Sequence, residues 1–297
     1  MQKRPERDFM KKSYMPQRYT VSTASIAVVL ATTLNAVPAH AVGFEILKPH
    51  RAIYEIELEK ASDRSGINSM SGRIVYEMKG DECDGISVNY RFVSRINADG
   101  DIFTTDQQTA SHETPDGNEY SFLTKSFVDD RLDRTVKGIA VNRRGAMEVS
   151  LAAPEEREVE LEAANFISSH LVKVIEGARE GRHFFSLDVF DGGDDADEVL
   201  KTTNIVGEAK TYDEPLPGEK AKAIEELADD PAWPVTIGYF KKNHTDSTEP
   251  VPVYEVSFLL YEGGISRKLI MRYPDYSLRG SLVALEFLDD GDCRIEN

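Results

Sequence analysis

The sequence predicts a mainly β protein built on a highly curved antiparallel sheet with one or two short helices. Three observations predict this class: apolar and polar residues alternate along most of the chain, turn signals separate the alternating runs, and two segments break the pattern. Period-two alternation is typical of strands with one buried and one solvated face. Because a dozen or more flat strands would expose long edges, we expect the sheet to curl into a spiral, barrel-like form or to split into two layers.

Residues 1–41 are predicted to be a signal peptide. Basic residues precede an apolar stretch from about Ala24 to Val37, and Ala39-His40-Ala41 has the small-x-small pattern of a signal peptidase site. The apolar stretch is too short to span a bilayer stably, although an uncleaved anchor is the alternative. We therefore expect a periplasmic protein in which residues 42–297 form a single domain.

The charge of the chain excludes several classes of partner. The signal holds six of the 35 basic and two of the 52 acidic residues, which leaves 29 basic and 50 acidic residues and a formal charge of −21 on residues 42–297. Such a surface repels phosphate backbones and anionic headgroups. We expect no nucleic acid and no stable membrane span after signal cleavage.

Both cysteines, Cys83 and Cys293, lie in the predicted mature region. An oxidising compartment favours a disulfide between a lone pair of cysteines. Two free thiols or a redox pair are the alternatives, although the spacing is not Cys-x-x-Cys. A bridge would close a loop of about 210 residues and stabilise the fold by roughly 5 kcal/mol in the chain-entropy model.

The alternating runs occur from one end of the mature chain to the other. Turn signals such as Ala98-Asp99-Gly100, Pro115-Asp116-Gly117 and Arg144-Gly145 separate them and favour hairpins. Representative runs of inward residues are Ala52-Tyr54-Ile56-Leu58, Ile74-Tyr76-Met78, Ile86-Val88-Tyr90-Phe92, Met147-Val149-Leu151, Phe185-Leu187-Val189, Val235-Ile237-Tyr239, Tyr254-Val256-Phe258-Leu260 and Val283-Leu285-Phe287.

Two segments break the alternation. Residues Ser168–Ala178 are predicted to form a helix capped by Ser168 or Ser169, with an apolar stripe of Leu171, Val172 and Ile175 packed on the concave side of the sheet. Residues Val206–Pro234, with four prolines and an acidic centre, are predicted to form a long solvated connector around a short helix. A partner-binding loop is the alternative for this second segment.

We find no catalytic constellation in the sequence. There is no Gly-x-Ser-x-Gly, Ser169 and Lys173 are four residues apart instead of three, and the mature histidines are scattered without His-Glu-x-x-His. No phosphate loop or dinucleotide fingerprint is present, so we expect no cofactor. The acidic turn from Asp191 to Glu198 is a candidate calcium site, but its spacing is not that of an EF-hand, and a solvated hairpin turn is favoured. We expect no metal.

Short blocks in a fixed order resemble the periplasmic cell-envelope-integrity protein EipB family over roughly residues 47–295. The blocks are Pro49–Tyr54, Gly72–Tyr76 leading to Cys83, Glu113-Thr114 with Asp116-Gly117, His170-Leu171, Val189–Asp194, Trp233–Val235, Tyr254–Phe258, Leu260–Arg267 and Leu282–Glu286 before Cys293. The resemblance implies a spiral-like sheet, a disulfide between Cys83 and Cys293, and a non-enzymatic role in envelope maintenance. It implies no catalytic residues.

Two functions follow as hypotheses. The favoured one is a structural protein that maintains the envelope through contacts with other periplasmic proteins, with helical-repeat scaffolds among the candidates. The alternative is a carrier that binds a lipid or other apolar ligand inside the curved sheet. Five aromatic residues of the inner face could line such a cavity, although plain core packing is favoured for them: Tyr54, Tyr76, Tyr90, Phe92 and Phe258.

Overall fold

The alternating runs form one antiparallel sheet in the computed structural model, which describes residues 43–193, 195–242, 251–289 and 293. The predicted signal, residues 1–41, lies outside the described residues. The helices are α1 (Ile167–Arg179) and α2 (Ala221–Ile224). The strands are β1 (His50–Ala61), β2 (Ile67–Asp81), β3 (Gly85–Ala98), β4 (Asp101–Glu113), β5 (Glu119–Val128), β6 (Arg131–Arg143), β7 (Ala146–Ala153), β8 (Arg157–Glu162), β9 (Phe184–Val189), β10 (Leu200–Val206), β11 (Lys210–Thr211), β12 (Pro231–Lys241), β13 (Tyr254–Tyr261), β14 (Ser266–Arg272) and β15 (Tyr276–Phe287).

The strand order is β8-β7-β6-β5-β4-β3-β2-β1-β15-β14-β13-β12-β10-β9, with β11 paired to β12. The first and last strands are therefore neighbours, and His50 lies opposite Phe287. The two ends of this order approach where Asn165, shortly after β8, bridges to Val189 of β9. The sheet is thus curled but not closed, which confirms the predicted fold class.

Tight turns join the strands where the sequence places glycine after a short polar residue. Asp99 and Gly100 both have positive φ, 52° and 90°, as the hairpin turns that suit the twist of the sheet require. The sequence analysis missed the turn between β5 and β6, where Asp129 and Asp130 adopt positive φ without any glycine. Aspartate tolerates this conformation because its short side chain can hydrogen-bond locally; the Asp129 carboxylate accepts a bond from Thr104 N at 2.9 Å.

Helix α1 confirms the predicted helix within one residue at each end, but its predicted cap is wrong. The residue before the helix is Phe166, and no side chain of the helix itself caps the first turn. Val172, Val174 and Ile175 are buried, whereas Leu171 is half-buried. The stripe is therefore centred one position further along the helix than the sequence predicts.

The segment between β10 and β12 contains the predicted short helix and is largely exposed, but it is not only a solvated connector, so that prediction is wrong in part. The fully buried Arg267 pairs with Glu219 at 2.6 Å and also donates to the carbonyl oxygens of Tyr212 and Glu214. Ala223, Ile224 and Leu227, from α2 and the turn after it, are buried against the sheet. Most of residues 207–222 are exposed, but these contacts anchor the segment to the core, because its apolar residues and its buried carboxylate need partners.

Candidate functional site

The inner face of the sheet is the largest continuous surface that the strands build, and register defines its rows. One row crosses β1 to β5 and runs Ala52, Tyr76, Tyr90, Thr109 and Thr124; the next runs Tyr54, Ile74, Phe92, Gln107 and Ser126. Residues paired directly across antiparallel strands share a face. Each row thus begins in the apolar core at β1 and becomes polar at β4 and β5.

One end of this inner face is filled, and we call it the packed end. Helix α1 lies against β2, β3, β12 and β13 there and covers Met78, Ile86, Val88, Val235 and Leu260. All of these side chains are less than a tenth exposed. At a typical 25 cal/mol per Å² of apolar surface, such burial is the main favourable contribution to folding. The packed end is core, as the sequence predicts for the concave side.

A carboxylate from the sheet caps α1 in place of the predicted serines. Glu113, at the end of β4, accepts hydrogen bonds from Ser168 N at 2.9 Å and Ser169 N at 3.3 Å, and the Ser169 hydroxyl also donates to it. Burial raises the pKa of Glu113, although these donors oppose the shift. Ser169 therefore holds a capping carboxylate, and no histidine contacts it as an activated nucleophile would require.

His170 leads a second buried polar group, between α1 and β10. Its Nε2 lies 3.0 Å from the Thr202 hydroxyl, which donates to Leu187 O at 3.1 Å. The hydroxyl proton is thus committed, so Nε2 is the donor toward Thr202. Burial lowers the pKa of His170 to about 4, and Lys173 adds to the shift. Asn204, also fully buried, donates to Thr202 but leaves its side-chain oxygen without a protein partner.

The other end of the inner face is covered less completely, and we call it the open end: its aromatic residues pack on the buried core but keep accessible surface. Four tyrosines, from β12, β13, the turn after β14 and β15, stack along it, with ring centroids 4.2 Å apart for Tyr239 and Tyr254, 6.2 Å for Tyr254 and Tyr273, and 4.7 Å for Tyr273 and Tyr276. We call these four residues the tyrosine row. All four are half-buried, so they keep accessible surface although they lie inside the curl of the sheet.

A polar wall adjoins the aromatic residues of the open end. It consists of side-chain hydroxyls and one amide at inward register positions of β3, β4 and β5: Ser94, Thr105, Gln107, Thr109, Thr124 and Ser126. Neighbours in the wall bond each other, Ser94 to Thr105 at 2.8 Å and Thr109 to Thr124 at 3.0 Å. Gln107 is exposed although it faces inward, which indicates that the space in front of the wall is accessible.

Burial keeps the inner phenols neutral. It raises the pKa of Tyr273 to about 12, with Tyr276 contributing, and raises the pKa of Tyr90, with Tyr273 contributing. Tyr90 and Tyr273 therefore lie within electrostatic range of each other from opposite parts of the sheet. Burial and then the Asp191 carboxylate raise the pKa of Tyr239. Neutral phenols offer stacking surface and hydrogen bonds but no nucleophile at physiological pH.

The acidic turn that the sequence singles out is tied to the sheet by arginines. Arg134 pairs with Asp195, and Arg157 pairs with Asp197 at 3.4 Å. Asp191 accepts a bond from Gly193 N at 2.8 Å, and its carbonyl accepts one from Tyr120. Asp194 lies outside the described residues. Carboxylates that face guanidinium groups are poor calcium ligands, because an incoming cation would have to displace the arginines.

Cys83 and Cys293 are joined by a disulfide, with their Cα atoms 5.8 Å apart. Within the described ranges, the one group of clustered metal-ligand atoms is formed by these two sulfurs and the Asp81 carboxylate. Because the sulfurs are bonded to each other, they are not thiolate ligands. The bridge links the β2–β3 turn, at the packed end, to the region after the last strand.

The described histidines have protein partners, as expected for structural residues. Besides His170, the contacts are His50 Nδ1 to Lys48 O at 2.8 Å, His112 Nδ1 to the Ser87 hydroxyl at 2.9 Å and His183 Nδ1 to Val206 O at 2.8 Å. His244 lies outside the described residues.

Sequence reasoning found part of the inner lining. Tyr54 is buried, and four of the five predicted lining residues are half-buried: Tyr76, Tyr90, Phe92 and Phe258. The tyrosine row was missed, although twelve tyrosines in the chain are a compositional signal. Its members are remote in sequence, so only the pairing of their strands brings them together.

Comparison with known proteins adds three findings. The model of the EipB-like family matches residues 42–289. The cell envelope integrity protein EipB of Brucella abortus is 38% identical over 271 residues, which cover 91% of this chain and 95% of that protein. A crystal structure of a β-barrel-like protein from Brucella abortus, described as a domain of unknown function, superimposes with a TM-score of 0.78 at 38% identity and covers 82% of this chain and 99% of that one. Within the described residues, no helix is long and apolar enough to cross a membrane.

Proposed function

Because this chain belongs to the EipB-like family, we propose that it is a non-enzymatic periplasmic protein that maintains cell-envelope integrity. The name of the EipB relative supports the envelope role. The family match begins at residue 42, directly after the predicted cleavage site at Ala41, which supports export to the periplasm. The neutral phenols of the inner face and the hydrogen-bonded histidines support a role without catalysis.

The geometry best supports a function in which the inner face binds a ligand. The observation that carries this proposal is the open end: aromatic side chains such as Tyr90, Phe92 and Tyr254 point into the curl of the sheet yet keep accessible surface. Ligand sites in curved sheets have this form, an apolar concave lining with a few polar groups. A bound ligand would shield these aromatic side chains from water, which is a reason for the protein to retain them.

Mass spectrometry tests the ligand-binding function. We expect protein purified from the periplasm without detergent to carry a stoichiometric apolar compound, detected by native mass spectrometry and by extraction into organic solvent. A Tyr254→Arg variant should lose the compound, because a charge on the open end opposes apolar binding. The control is Lys201→Arg, an exposed change on β10. Wild-type protein that yields nothing in either measurement contradicts the function.

A second candidate, docking of another periplasmic protein, rests on a different observation. Strand β9 ends the strand order, and Phe184 on it is 69% exposed beside its register partner Ile205, which is 51% exposed. Apolar residues at a free sheet edge favour addition of a strand from a partner. This candidate is the contact function favoured by the sequence.

Genetic complementation separates the two candidates. In a strain that lacks the gene and is sensitive to detergent, Phe184→Lys should fail to restore resistance if the β9 edge docks a partner. The matched control is Val251→Lys, at a residue 70% exposed and outside the strands. If Phe184→Lys restores resistance fully while Tyr254→Arg does not, the ligand-binding function stands and docking at β9 is rejected.

A further inference from the structure

The open end has two chemically different walls and no charge on either. Inward register positions of β3, β4 and β5 from Tyr90 to Ser126 hold aromatic, aliphatic, hydroxyl and amide side chains only. On the opposite face of the sheet, Arg91 pairs with Asp106 at 2.7 Å and Arg73 pairs with Glu55, whereas Glu113 of β4 faces inward at the packed end, where it caps α1. The aromatic side is the tyrosine row with Tyr90 and Phe92, and the other side is the polar wall.

A carboxylate contributes to the electrostatics of the open end. Asp191 lies close enough to Tyr239 and Tyr254 to contribute to the rise in the pKa of both. The chain as a whole carries a formal charge of −17. The inward residues of β3 to β5 offer an anionic group no cationic partner, and the nearest inward cation, Arg134 of β6 opposite Ser126, is already paired with Asp195. Moving an unpaired charge from water to such a place is unfavourable by several kcal/mol.

We propose that the open end binds an uncharged amphipathic ligand. Its hydrocarbon chain packs along the tyrosine row, and its hydroxyl-bearing head bonds the polar wall at Gln107, Thr109 and Thr124. This inference rests on the ligand-binding function proposed above and adds the class of ligand. The amide of Gln107 offers two donors and an acceptor, and the bonded pair of Thr109 and Thr124 keeps one hydroxyl donor and free acceptor lone pairs, so the wall suits a head with several hydroxyl groups.

The polar wall has no group that would stabilise the carboxylate of a fatty acid or the phosphate of a phospholipid. A head that carries only hydroxyl, ether and ester oxygens can replace the hydrogen bonds between water and the wall, whereas an anion loses solvation that no side chain of the wall replaces. Alkyl glycosides, monoacylglycerols and glycosylated long-chain alcohols share the required chemistry.

The decisive experiment compares probes with one chain and different heads. Residues 42–297 are titrated by isothermal calorimetry, below the micelle concentration, with dodecyl maltoside, 1-lauroylglycerol, laurate and dodecyl phosphate. We expect the two uncharged probes to bind at least tenfold more tightly than the two anionic ones at low salt. The preference should persist at high salt, although reduced, because screening removes the long-range repulsion but not the loss of solvation.

A variant pair places the head on the polar wall. Gln107→Leu removes the amide from the wall with little change of size, and it should weaken dodecyl maltoside binding at least fivefold while dodecanol binding stays unchanged. The matched control is Gln108→Leu, the next residue of β4, which faces the opposite side of the sheet and should leave both affinities unchanged. Circular dichroism and the melting temperature check the fold of each variant.

The outcomes separate this inference from the function on which it rests. Anionic probes that bind as tightly as uncharged ones overturn the inference and leave the ligand-binding function standing. Equal effects of Gln107→Leu and Gln108→Leu on dodecyl maltoside also overturn it, because the head would then not contact the wall. If none of the four probes binds, and native protein carries no extractable compound, the ligand-binding function itself is wrong.

Discussion

The packed end and the open end lie on the same face of the same strands, yet one is core and the other is accessible. Strand β3 runs through both: Val88 is covered by α1, whereas Phe92, four residues further on the same face, is half-buried. The alternation of the two halves of β3 is the same. The comparison shows that strand pattern fixes which face is inward, while a helix from another part of the chain decides how much of that face is filled.

We expect the disulfide to make the largest single contribution to the difference in stability between the two ends. It joins the β2–β3 turn, at the packed end, to the region after β15. Cys83→Ser should lower the free energy of unfolding by up to roughly 5 kcal/mol, the chain-entropy value for a loop this long, while far-UV circular dichroism stays β-rich. Thermal and urea unfolding measure the loss.

Alkylation tests the bridge itself. Denatured, non-reduced protein from the periplasm should contain no free thiol. Two labelled cysteines per chain would show that the bridge is absent. A Cys83→Ser variant as stable as the wild type would show that the bridge does not stabilise the packed end.

A pair of identical substitutions compares the two ends directly. Ile175→Ala, at a residue with no exposed surface in the packed end, should cost about 2–5 kcal/mol in urea unfolding, because it removes buried methyl groups and leaves a cavity. Ile96→Ala, at a half-buried residue of the open end, should cost about 1 kcal/mol or less, because water already reaches part of its surface. Leu171→Ala should fall between them, since Leu171 is half-buried against α1's neighbours.

The same variants should show the reverse order in probe binding. We expect Ile96→Ala to change the affinity for dodecyl maltoside, and Ile175→Ala to leave it unchanged under conditions where the variant is folded. Equal losses of stability at the two positions would mean that the open end is packed as tightly as the other.

A smaller effect, on pH dependence, belongs to the packed end alone. The pKa of His170 falls from 6.5 to about 4 on folding, so the unfolded chain binds a proton in this range that the folded chain does not. Stability linked to His170 is therefore complete above pH 6.5 and is lost as the pH falls toward 4, by about 1.4 kcal/mol per pH unit at most.

His170→Gln isolates this contribution, because the Gln amide can still donate to Thr202. Glu113 acts in the opposite direction: its raised pKa makes its contribution fall as the pH rises from about 4.5. The difference in unfolding free energy between wild type and His170→Gln should therefore depend on pH between 6.5 and 4. A constant difference would show that His170 is not neutral in the folded protein.

Most of the fold could be predicted from the sequence, because alternation and glycine turns are local signals. The run from Ile86 to Phe92 and the turn at Asp99-Gly100 need no long-range information. The cap of α1 could not be predicted, since Glu113 is 55 residues away from Ser168 in the chain. Serine at the start of a helix is a preferred capping residue, but the buried carboxylate of Glu113 is a stronger acceptor for the same backbone N–H groups.

The candidate site was predicted only in part for the same reason. Tyr90 and Phe92 were found because they share one alternating run. Tyr239, Tyr254 and Tyr273 come from three segments, and stacking depends on a register that no local pattern encodes. Arg267 alternates in phase with Ile265 and Leu269, but its pairing with Glu219 could not be predicted, because Glu219 is 48 residues away in the chain.

The pairing of β1 with β15 determines the order in which the sheet can assemble during folding. Strands β2 to β8 each pair with the strand made just before or just after them, so their hairpins can form while the chain is still being synthesised or translocated. His50 finds Phe287 only after nearly the whole chain has emerged. Because contacts between such distant residues form slowly, the centre of the sheet is its last part to assemble, and a chain that lost its final strand would expose both β1 and β14 as open edges.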